Sequence, residues 1–419
     1  MPHDKMAKNE LLDRGVKRIE WAKAHMPVLG RIRERMVKEK AFEGLKVGMA
    51  LHTEAKTAVL ALTIQDAGAE VRLTSCNPLS TDDSVAKALN EEYGLKCYAK
   101  KGQNTKDYYE SLNKVIDLGS DYIIDDGADL IFLLHTKRKD MLPKVKGANE
   151  ETTTGIMRLR AMAHEGALKF PVMSVNDAYM KYLFDNRYGT GQSTFDGLMA
   201  STNLLVAGKN FVVAGYGWCG RGIAMRAKGM GADVTVTEVD PVRAIEARMD
   251  GFAVKPMTEA AKTADFIVTA TGCKDVVTAE DLKVMKDGCV LANSGHFDNE
   301  ISKPALEKMS KRHKKVRDSV EEYELKNGRS VYLLADGRLV NLAAGQGHPV
   351  EIMDMSFAIQ ALCLEYLDFS SQSLEPYVYD VPDHLDELVA RTKLETMGVK
   401  IDRLSKEQQA YVRSWKEGT

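Results

Sequence analysis

Beyond residue 44 the chain alternates between two patterns. Short apolar runs rich in β-branched residues predict strands at Leu45–Leu51, Glu70–Ser75, Lys96–Ala99, Tyr122–Asp126 and Pro171–Asp177. Longer stretches with apolar residues at helical spacing predict helices between them, at Ala55–Asp66, Asp82–Tyr93, Asp107–Asp117 and Ile156–His164. A second series starts near Gly191, with a helix ahead of a strand at Phe211 and further strands at Val234–Glu238, Asp265–Gly272 and Cys289–Gly295. Val331–Gly337 and Arg338–Leu342 read as a β-hairpin turning at Asp336-Gly337. Residues 1–44 predict charged helices: Ile19, Ala22, Met26 and Leu29 keep helical spacing, and Pro27 ends or kinks the first. Gly347-His-Pro349 introduces a long apolar helix, Val350–Leu367, able to return to the first series, and Asp383–Thr419 reads as a charged helical tail. Strands alternating with helices imply parallel sheets whose ligands gather at the carboxyl ends of the strands. The expected fold is therefore α/β, with two doubly wound parallel-sheet domains facing a cleft and a helical C-terminal tail.

The strand at Phe211 runs straight into Gly215-x-Gly217-x-x-Gly220, and a helical pattern begins inside that loop. The first glycine permits the tight turn, the second lets backbone approach a pyrophosphate, and the third lets the helix pack closely on its strand. The next strand ends in Glu238, which follows Gly220 by close to the ~20 residues at which a carboxylate holds a ribose 2′-OH. A carboxylate repels a 2′-phosphate, so the site reads as one for NAD rather than NADP.

Composition narrows the partners. The 419 residues carry a net charge of −2 with 28% charged side chains, which argues against a binder of nucleic acid. The basic run Lys311-Arg312-His313-Lys314-Lys315 sits among acids and reads as a solvated helix face. The six cysteines show no C-x-x-C spacing and read as reduced, buried thiols, and no metal site is expected. With no secretory pattern at the N-terminus and no apolar stretch long enough to span a bilayer, a soluble, cytoplasmic protein is expected.

Polar residues stand at the carboxyl ends of several predicted strands: His52, Asp125 and Asp126, Asp177, and His296. The run Glu150-Glu-Thr-Thr-Thr-Gly155 reads either as a capped helix start or as hydroxyls and a carboxylate set against sugars. Lys181 and Asp185 share one face if Ala178–Asn186 is helical. They lie at the junction of the two series, where a desolvated lysine of lowered pKa could act as a base.

These residues together carry a family resemblance. Leu51-His52, Asp125-Asp-Gly-Ala-Asp129, Glu150–Gly155, Asn176-Asp177, Phe184-Asp-Asn186, Gly215-Tyr-Gly217, Gly295-His-Phe297, Gly337-Arg-Leu-Val-Asn341 and Gly347-His-Pro349 resemble S-adenosylhomocysteine hydrolase over residues 16–415. The chain is most similar to the shorter archaeal and Thermotoga-like branch, which includes S-inosylhomocysteine hydrolases. The resemblance implies reversible hydrolysis of a nucleosidyl-homocysteine thioether in the methyl cycle, by a redox detour. The ribose C3′ gives a hydride to tightly held NAD and stands as a ketone; C4′ is thereby acidified, homocysteine thiolate leaves, water adds, and the hydride returns. It implies a substrate domain of residues 1–188 and 347–382, an NAD domain of 189–346, and a tail of 383–419 serving oligomerisation in a homotetramer.

Roles carry over residue by residue. Lys181 with Asp185 deprotonates the 3′-OH and Glu151 holds the ribose hydroxyls. Asp126 takes the C4′ proton, His52 and His296 serve the leaving group and the incoming water, and His348 joins the substrate set. Thr152, Thr153, Thr154, Asn186, Glu238, Thr271, His296 and Asn341 match contacts to NAD; Gly215, Gly217, Trp218, Cys219, Gly220, Arg221, Gly222, Ser294 and Gly295 complete that set. Trp218 and Arg221 stand where the family usually has acidic and lysine residues, and Thr190 replaces a common cysteine. The family's lysine- and tyrosine-containing C-terminal tail is absent, which suggests easier exchange of NAD. Most telling, Glu54 and Lys56 replace the Thr and Glu or Gln common two and four positions after the first histidine. Adenine offers an amino donor and an N1 acceptor, whereas hypoxanthine offers an O6 acceptor and an N1–H donor. A lysine can donate to O6 and a glutamate can accept N1–H, so the pair favours hypoxanthine if it faces the base rather than solvent. The competing readings are a strictly adenine-specific hydrolase, an NAD-dependent dehydrogenase of a small hydroxy or amino acid, and a non-catalytic NAD-sensing protein.

Overall fold

Each strand series closes into its own sheet in the computed structural model, which describes residues 2–416. The first series supplies β1 (Lys46–Ala50), β2 (Glu70–Thr74), β3 (Lys96–Cys97), β4 (Tyr122–Asp125), β5 (Gly147–Glu150) and β6 (Val172–Ser174). The second supplies β7 (Asn210–Ala214), β8 (Asp233–Thr237), β9 (Ala253–Val254), β10 (Phe266–Thr269), β11 (Cys289–Asn293), β12 (Ser310–Arg317), β13 (Val320–Leu325) and β14 (Ser330–Leu334). A final strand, β15 (Val378–Asp380), rejoins the first sheet beside β6. The first sheet runs β3-β2-β1-β4-β5-β6-β15, all parallel; the second runs β9-β8-β7-β10-β11-β14 in parallel, then β13 and β12 antiparallel. Both therefore share one doubly wound order whose topological switch points lie between β1 and β4 and between β7 and β10. β4, β10 and β11 are buried along their whole length, as strands covered on both faces must be.

The helix Val350–Ser370 does return to the first domain. It is apolar nearly all round and lies in that domain's core with Phe357, Ile359, Leu362 and Leu364. Its few buried polar groups each have work: Asp354 accepts from the backbone N–H of Val28 and Leu29, capping the helix Pro27–Glu39. The helix Asp383–Thr396 also buries Leu385 and Val389 in this core, whereas residues beyond Gly398 are exposed. The last three residues of the predicted tail lie outside the described residues. Among those described, no helix is long and apolar enough to cross a membrane.

Several expectations are corrected. The hairpin at Asp336-Gly337 does not form. β14 stops at Leu334, and three successive left-handed residues, Ala335, Asp336 and Gly337, swing the chain into a short helix, Val340–Ala343. The Asp-Gly signal serves that swing, which Asn293 secures by donating to the Gly337 carbonyl. The basic run at Lys311 is the edge strand β12, not a helix face; acids of β13 opposite it make the pairs Arg312–Glu324 and Lys314–Glu322. β5, with sequence Gly-Ala-Asn-Glu, carries no β-branched residue and forms because β4 and β6 enclose it. β9 and β15 also went unpredicted, and the Pro171–Asp177 strand ends at Ser174 in a 3₁₀ turn. Cys219 is only half-buried and Cys273 is exposed, while the other four thiols are buried. The segment 178–186 starts as a helical turn, Tyr179–Lys181, and then widens into a π-helical stretch, Tyr182–Gly189, before the helix Thr190–Thr202.

The second domain is fixed on this stretch by backbone contact. A Cβ on Gly222 would sit 1.8 Å from the Arg187 carbonyl oxygen, and one on Gly191 would sit 2.7 Å from that of Gly222. Gly222→Ala should therefore destabilise the protein by about 1–3 kcal/mol through overpacking. Equilibrium denaturation reads this, and an unchanged midpoint would show that the helices have room to part.

Candidate active site

The carboxyl ends of the two sheets face one cavity of about 1440 Å³. Into it come His52 from the end of β1, Asp126 from the end of β4, Glu151–Thr154 from the end of β5, and Gly215, Glu238, Thr271 and His296 from the second sheet. Lys181, Asp185 and Asn186 enter from the turn and π stretch between the domains, and Asn341 and His348 from the return path. Glu54, Lys56, Gly217, Trp218, Cys219, Ser294 and Gly295 line it as well. Gly220, Arg221 and Gly222 do not. Gly220 is packed where a Cβ would meet the Gly215 carbonyl oxygen at 1.9 Å, and Arg221 turns outward to Glu246 at 2.7 Å, lying over the Trp218 ring. Asp125 also faces away, accepting from the Ile131 N–H of the helix that follows.

The glycine loop has the shape a dinucleotide needs. Gly215 has φ +94°, and Gly217 leaves open space where a side chain would stand, with nothing closer than Arg243 at 3.7 Å. The helix Trp218–Gly229 starts at Gly217 with no side chain capping its first N–H groups, which leaves them for an anion. Glu238 ends the β8 side of the loop, its Oε2 accepting from the Tyr216 N–H at 2.6 Å. Further along, Asn341 is buried and its side-chain carbonyl oxygen has no partner. These features fit NAD.

The densest charge cluster surrounds Lys181, which is 4% exposed. Its Nζ lies 3.2 Å from Asp185, 3.6 Å from Glu151, and donates to Asn186 Oδ1 at 2.8 Å. Burial alone would lower its pKa, but Asp185, Glu151 and Asp126 outweigh burial and raise it. The expectation of a lowered lysine pKa is thus corrected: Lys181 stands as an ammonium because two carboxyls flank it. Burial pushes Glu151 up to about 8, with Lys181 pulling the other way. For Asp185, burial is outweighed by Lys181 and His348, whose Nδ1 is 3.3 Å away, and the pKa falls.

A second cluster lies beside it. His52 Nε2 is 3.4 Å from Asp126 Oδ2, and His296 Nδ1 is 3.6 Å from Asp126 Oδ1. One ring nitrogen of each histidine and one Asp126 oxygen all fall within 4.8 Å of one another. Burial drives the His52 pKa down to about 4 against the pull of Asp126, so the ring is neutral. Its Nδ1 is 2.7 Å from Ser80 Oγ, whose own proton has an acceptor in the Asn77 carbonyl. Nδ1 also lies 3.3 Å from Cys76 Sγ, and Nε2 turns to Asp126 and the cavity.

At the far wall, Glu54 and Lys56 line the cavity instead of pointing to solvent. Glu54 caps the helix Ala55–Asp66 and lies 3.0 Å from Lys56 Nζ, which also donates to the Gln346 carbonyl at 2.9 Å. Leu51, Leu342, Met353 and Phe357 provide apolar walls nearby.

Sequence reasoning missed the supports of these groups. Ser356 donates to Asp185 at 2.9 Å and Gln360 to Glu151 at 2.6 Å. Two polar residues four apart inside an apolar helix were the available signal. Ser80 and Cys76 beside His52, and Glu300 beneath Thr271 and Gly272, carried none.

Comparison with known proteins agrees with this geometry. A family model described as S-adenosyl-L-homocysteine hydrolase matches residues 4–141, and one described as S-adenosyl-L-homocysteine hydrolase, NAD binding domain, matches 186–347. The chain is 59% identical over 405 residues to an S-inosyl-L-homocysteine hydrolase of Methanocaldococcus jannaschii, covering 97% of each chain. It is 61% identical to an adenosylhomocysteinase of Archaeoglobus fulgidus, covering 97% of this chain and all of the other. An adenosylhomocysteinase of Thermoplasma volcanium is 56% identical, over 97% of this chain and 99% of that one. The chain belongs to the S-adenosyl-L-homocysteine hydrolase family and carries that family's NAD-binding domain.

Proposed function

We propose that the protein hydrolyses nucleosidyl-homocysteine thioethers to homocysteine and the free nucleoside, reversibly and with bound NAD, and that it favours hypoxanthine over adenine. The observation that carries the reading is one cavity holding a dinucleotide loop, a lysine–carboxylate cluster and a histidine–aspartate cluster side by side. A dehydrogenase of small acids needs one acid–base group beside the nicotinamide and would leave one of the two clusters without a task. Residues 1–188 with 347–382 act as the substrate domain and 189–346 as the NAD domain. Exposed residues of the tail beyond Gly398 serve assembly into a homotetramer, and the enzyme works in the cytoplasm as part of the methyl cycle.

Held by the glycine loop, Glu238, Thr152–Thr154, Thr271 and Asn341, NAD supplies a reversible hydride acceptor that lets the ribose stand as its 3′-ketone. The chain supplies the proton handling. The 3′-hydroxyl meets the Lys181 ammonium, which stabilises developing negative charge on the oxygen, and its proton passes into the Glu151–Asp185 pair. Glu151, pushed up to about 8, is the member whose proton affinity suits that exchange near neutrality. Asp126 removes the C4′ proton made acidic by the ketone. His52 and His296 then pass a proton to the leaving thiolate and take one from the incoming water. The same groups act in reverse as the ketone is reduced.

The base lies against Leu51, Leu342, Met353 and Phe357, with Lys56 donating to O6 and Glu54 accepting from N1–H. Adenine would set its amino group against an ammonium and its N1 against a carboxylate, leaving both unpaired.

Protein stripped of NAD should release no homocysteine, and protein with NAD restored should release thiol without net NADH; a thiol assay run beside absorbance at 340 nm decides between this and a dehydrogenase. S-inosylhomocysteine should show the higher kcat/KM, and Lys56→Met should lower it for that substrate by about tenfold or more, with a smaller effect on S-adenosylhomocysteine. An adenine preference in the wild type would remove the hypoxanthine reading. Because Glu151 accepts a proton only when ionised, single-turnover oxidation of the 3′-position should rise with pH towards about 8 and then level, and Glu151→Gln should abolish that rise.

A further inference from the structure

Gly127 follows Asp126, and its peptide is held from both ends. Its N–H donates to Glu150 Oε1 at 2.8 Å, and its carbonyl accepts from Arg158 Nη1. The same Glu150 oxygen accepts from the Thr152 N–H at 3.0 Å, so one carboxyl ties the turn after β4 to the turn after β5. Arg158 is itself fixed by Asp129 Oδ1 at 2.8 Å, and its guanidinium lies 5.3 Å from the Phe132 ring and 6.0 Å from that of Phe297. Phe297 adjoins His296 in the other domain.

The turn that these two residues hold is where His296 comes to rest. A Cβ on Gly127 would stand 2.3 Å from His296 Nε2, so the imidazole occupies the space the glycine leaves. Gly127 has φ +96°, a conformation that other residues rarely adopt. A shift of this peptide would move the surface against which His296 packs, and with it the 3.6 Å approach of His296 to Asp126.

We propose that Glu150 and Arg158 are positioning residues for the reaction: they clamp the Gly127 peptide from its two ends and so fix where His296 meets Asp126. The inference rests on the reading of Asp126 and His296 as proton carriers in elimination and water addition. Neither clamp residue lines the cavity. Glu150 is wholly buried, its second oxygen has no partner, and its carboxyl fills the space left by Gly155. Burial, with Asp125 and Asp126 alongside, holds the carboxyl well above its ordinary pKa, and its Oε1 accepts from two N–H groups. A glutamine can do the same.

The test separates the two halves of the reaction in enzyme carrying NAD. Thiol release from S-inosylhomocysteine needs Asp126 and His296, whereas 5′-deoxyinosine has a 3′-hydroxyl to oxidise but no thiolate to lose, so NADH formation from it reports on the Lys181 cluster alone. Glu150→Leu should slow thiol release about 100-fold and Arg158→Met about tenfold, the scale on which small misplacements of catalytic groups act. Arg158→Met should leave NADH formation within about threefold of wild type; Glu150→Leu, which also frees the Thr152 N–H, should lower it far less than it lowers thiol release, and Glu150→Gln should restore thiol release to within about threefold. Equal losses in both reactions would make the roles merely structural and overturn the proposal. So would undiminished thiol release in the leucine and methionine variants, or a glutamine variant as slow as the leucine one, which would mean that the acid proton itself is needed. If Glu150→Leu does not fold, Arg158→Met, at a half-buried position, carries the same comparison. A wild-type enzyme that releases no thiol from either thioether would instead overturn the functional reading beneath the clamp.

Discussion

An ammonium buried between two carboxyl groups is the constraint from which the rest follows. Lys181, Asp185 and Glu151 are each at least 95% shielded from solvent. Removing charges from water costs several kcal/mol per ion, and mutual attraction returns that only when the remaining hydrogen-bonding groups are met. Here most are met from three places, Asn176 and Asn186 beside the lysine, Ser356 and Gln360 from the long helix, and His348 from the path between domains, while Glu151 Oε1 has only the ammonium at 3.6 Å. Such a cluster is poor evidence for stability. It makes sense as a preorganised field, a fixed set of charges and donors at the cavity wall.

The two sheets explain how the cluster meets a cofactor. Each has the same strand order and so the same crevice, and the crevices face each other across the cavity. The glycine loop stands at the β7–β10 crevice, and His52 and Asp126 stand at the β1–β4 crevice opposite. Neither sheet holds a complete site. The long helix Val350–Ser370 belongs to the first core yet follows the second sheet in sequence, so the chain crosses between the domains twice and braces the cluster on both passages.

Much of this was legible in the residues. The sequence reading of a helix at Ala55–Asp66 matches the structure to the residue, and the cap that Glu54 supplies there is the structure's addition. The glycine loop was legible because each glycine answers a separate steric demand, and the strand-end residues were legible because doubly wound sheets put chemistry there. What escaped was set by tertiary context. Gly147–Glu150 is a strand only because its neighbours make it one, the cations of β12 need the acids of β13, and the left-handed turn at Ala335 answers to Asn293. The protonation of Lys181 escaped for a related reason: spacing pairs it with Asp185, but only the fold brings Glu151 alongside.

The π-helical stretch Tyr182–Gly189 has a consequence for the length of the chain. A wide turn holds a surplus residue compared with an ordinary helix, and here Asp185 and Asn186 lie within it. Deleting the surplus residue would let the segment relax into regular α-helix with its flanks in phase, while the side chains between them, Asp185 and Asn186 among them, would turn by about 100° relative to Lys181. Descendants of this sequence can exchange side chains here far more readily than they can gain or lose a codon, because the reading frame of the helix is itself part of the site.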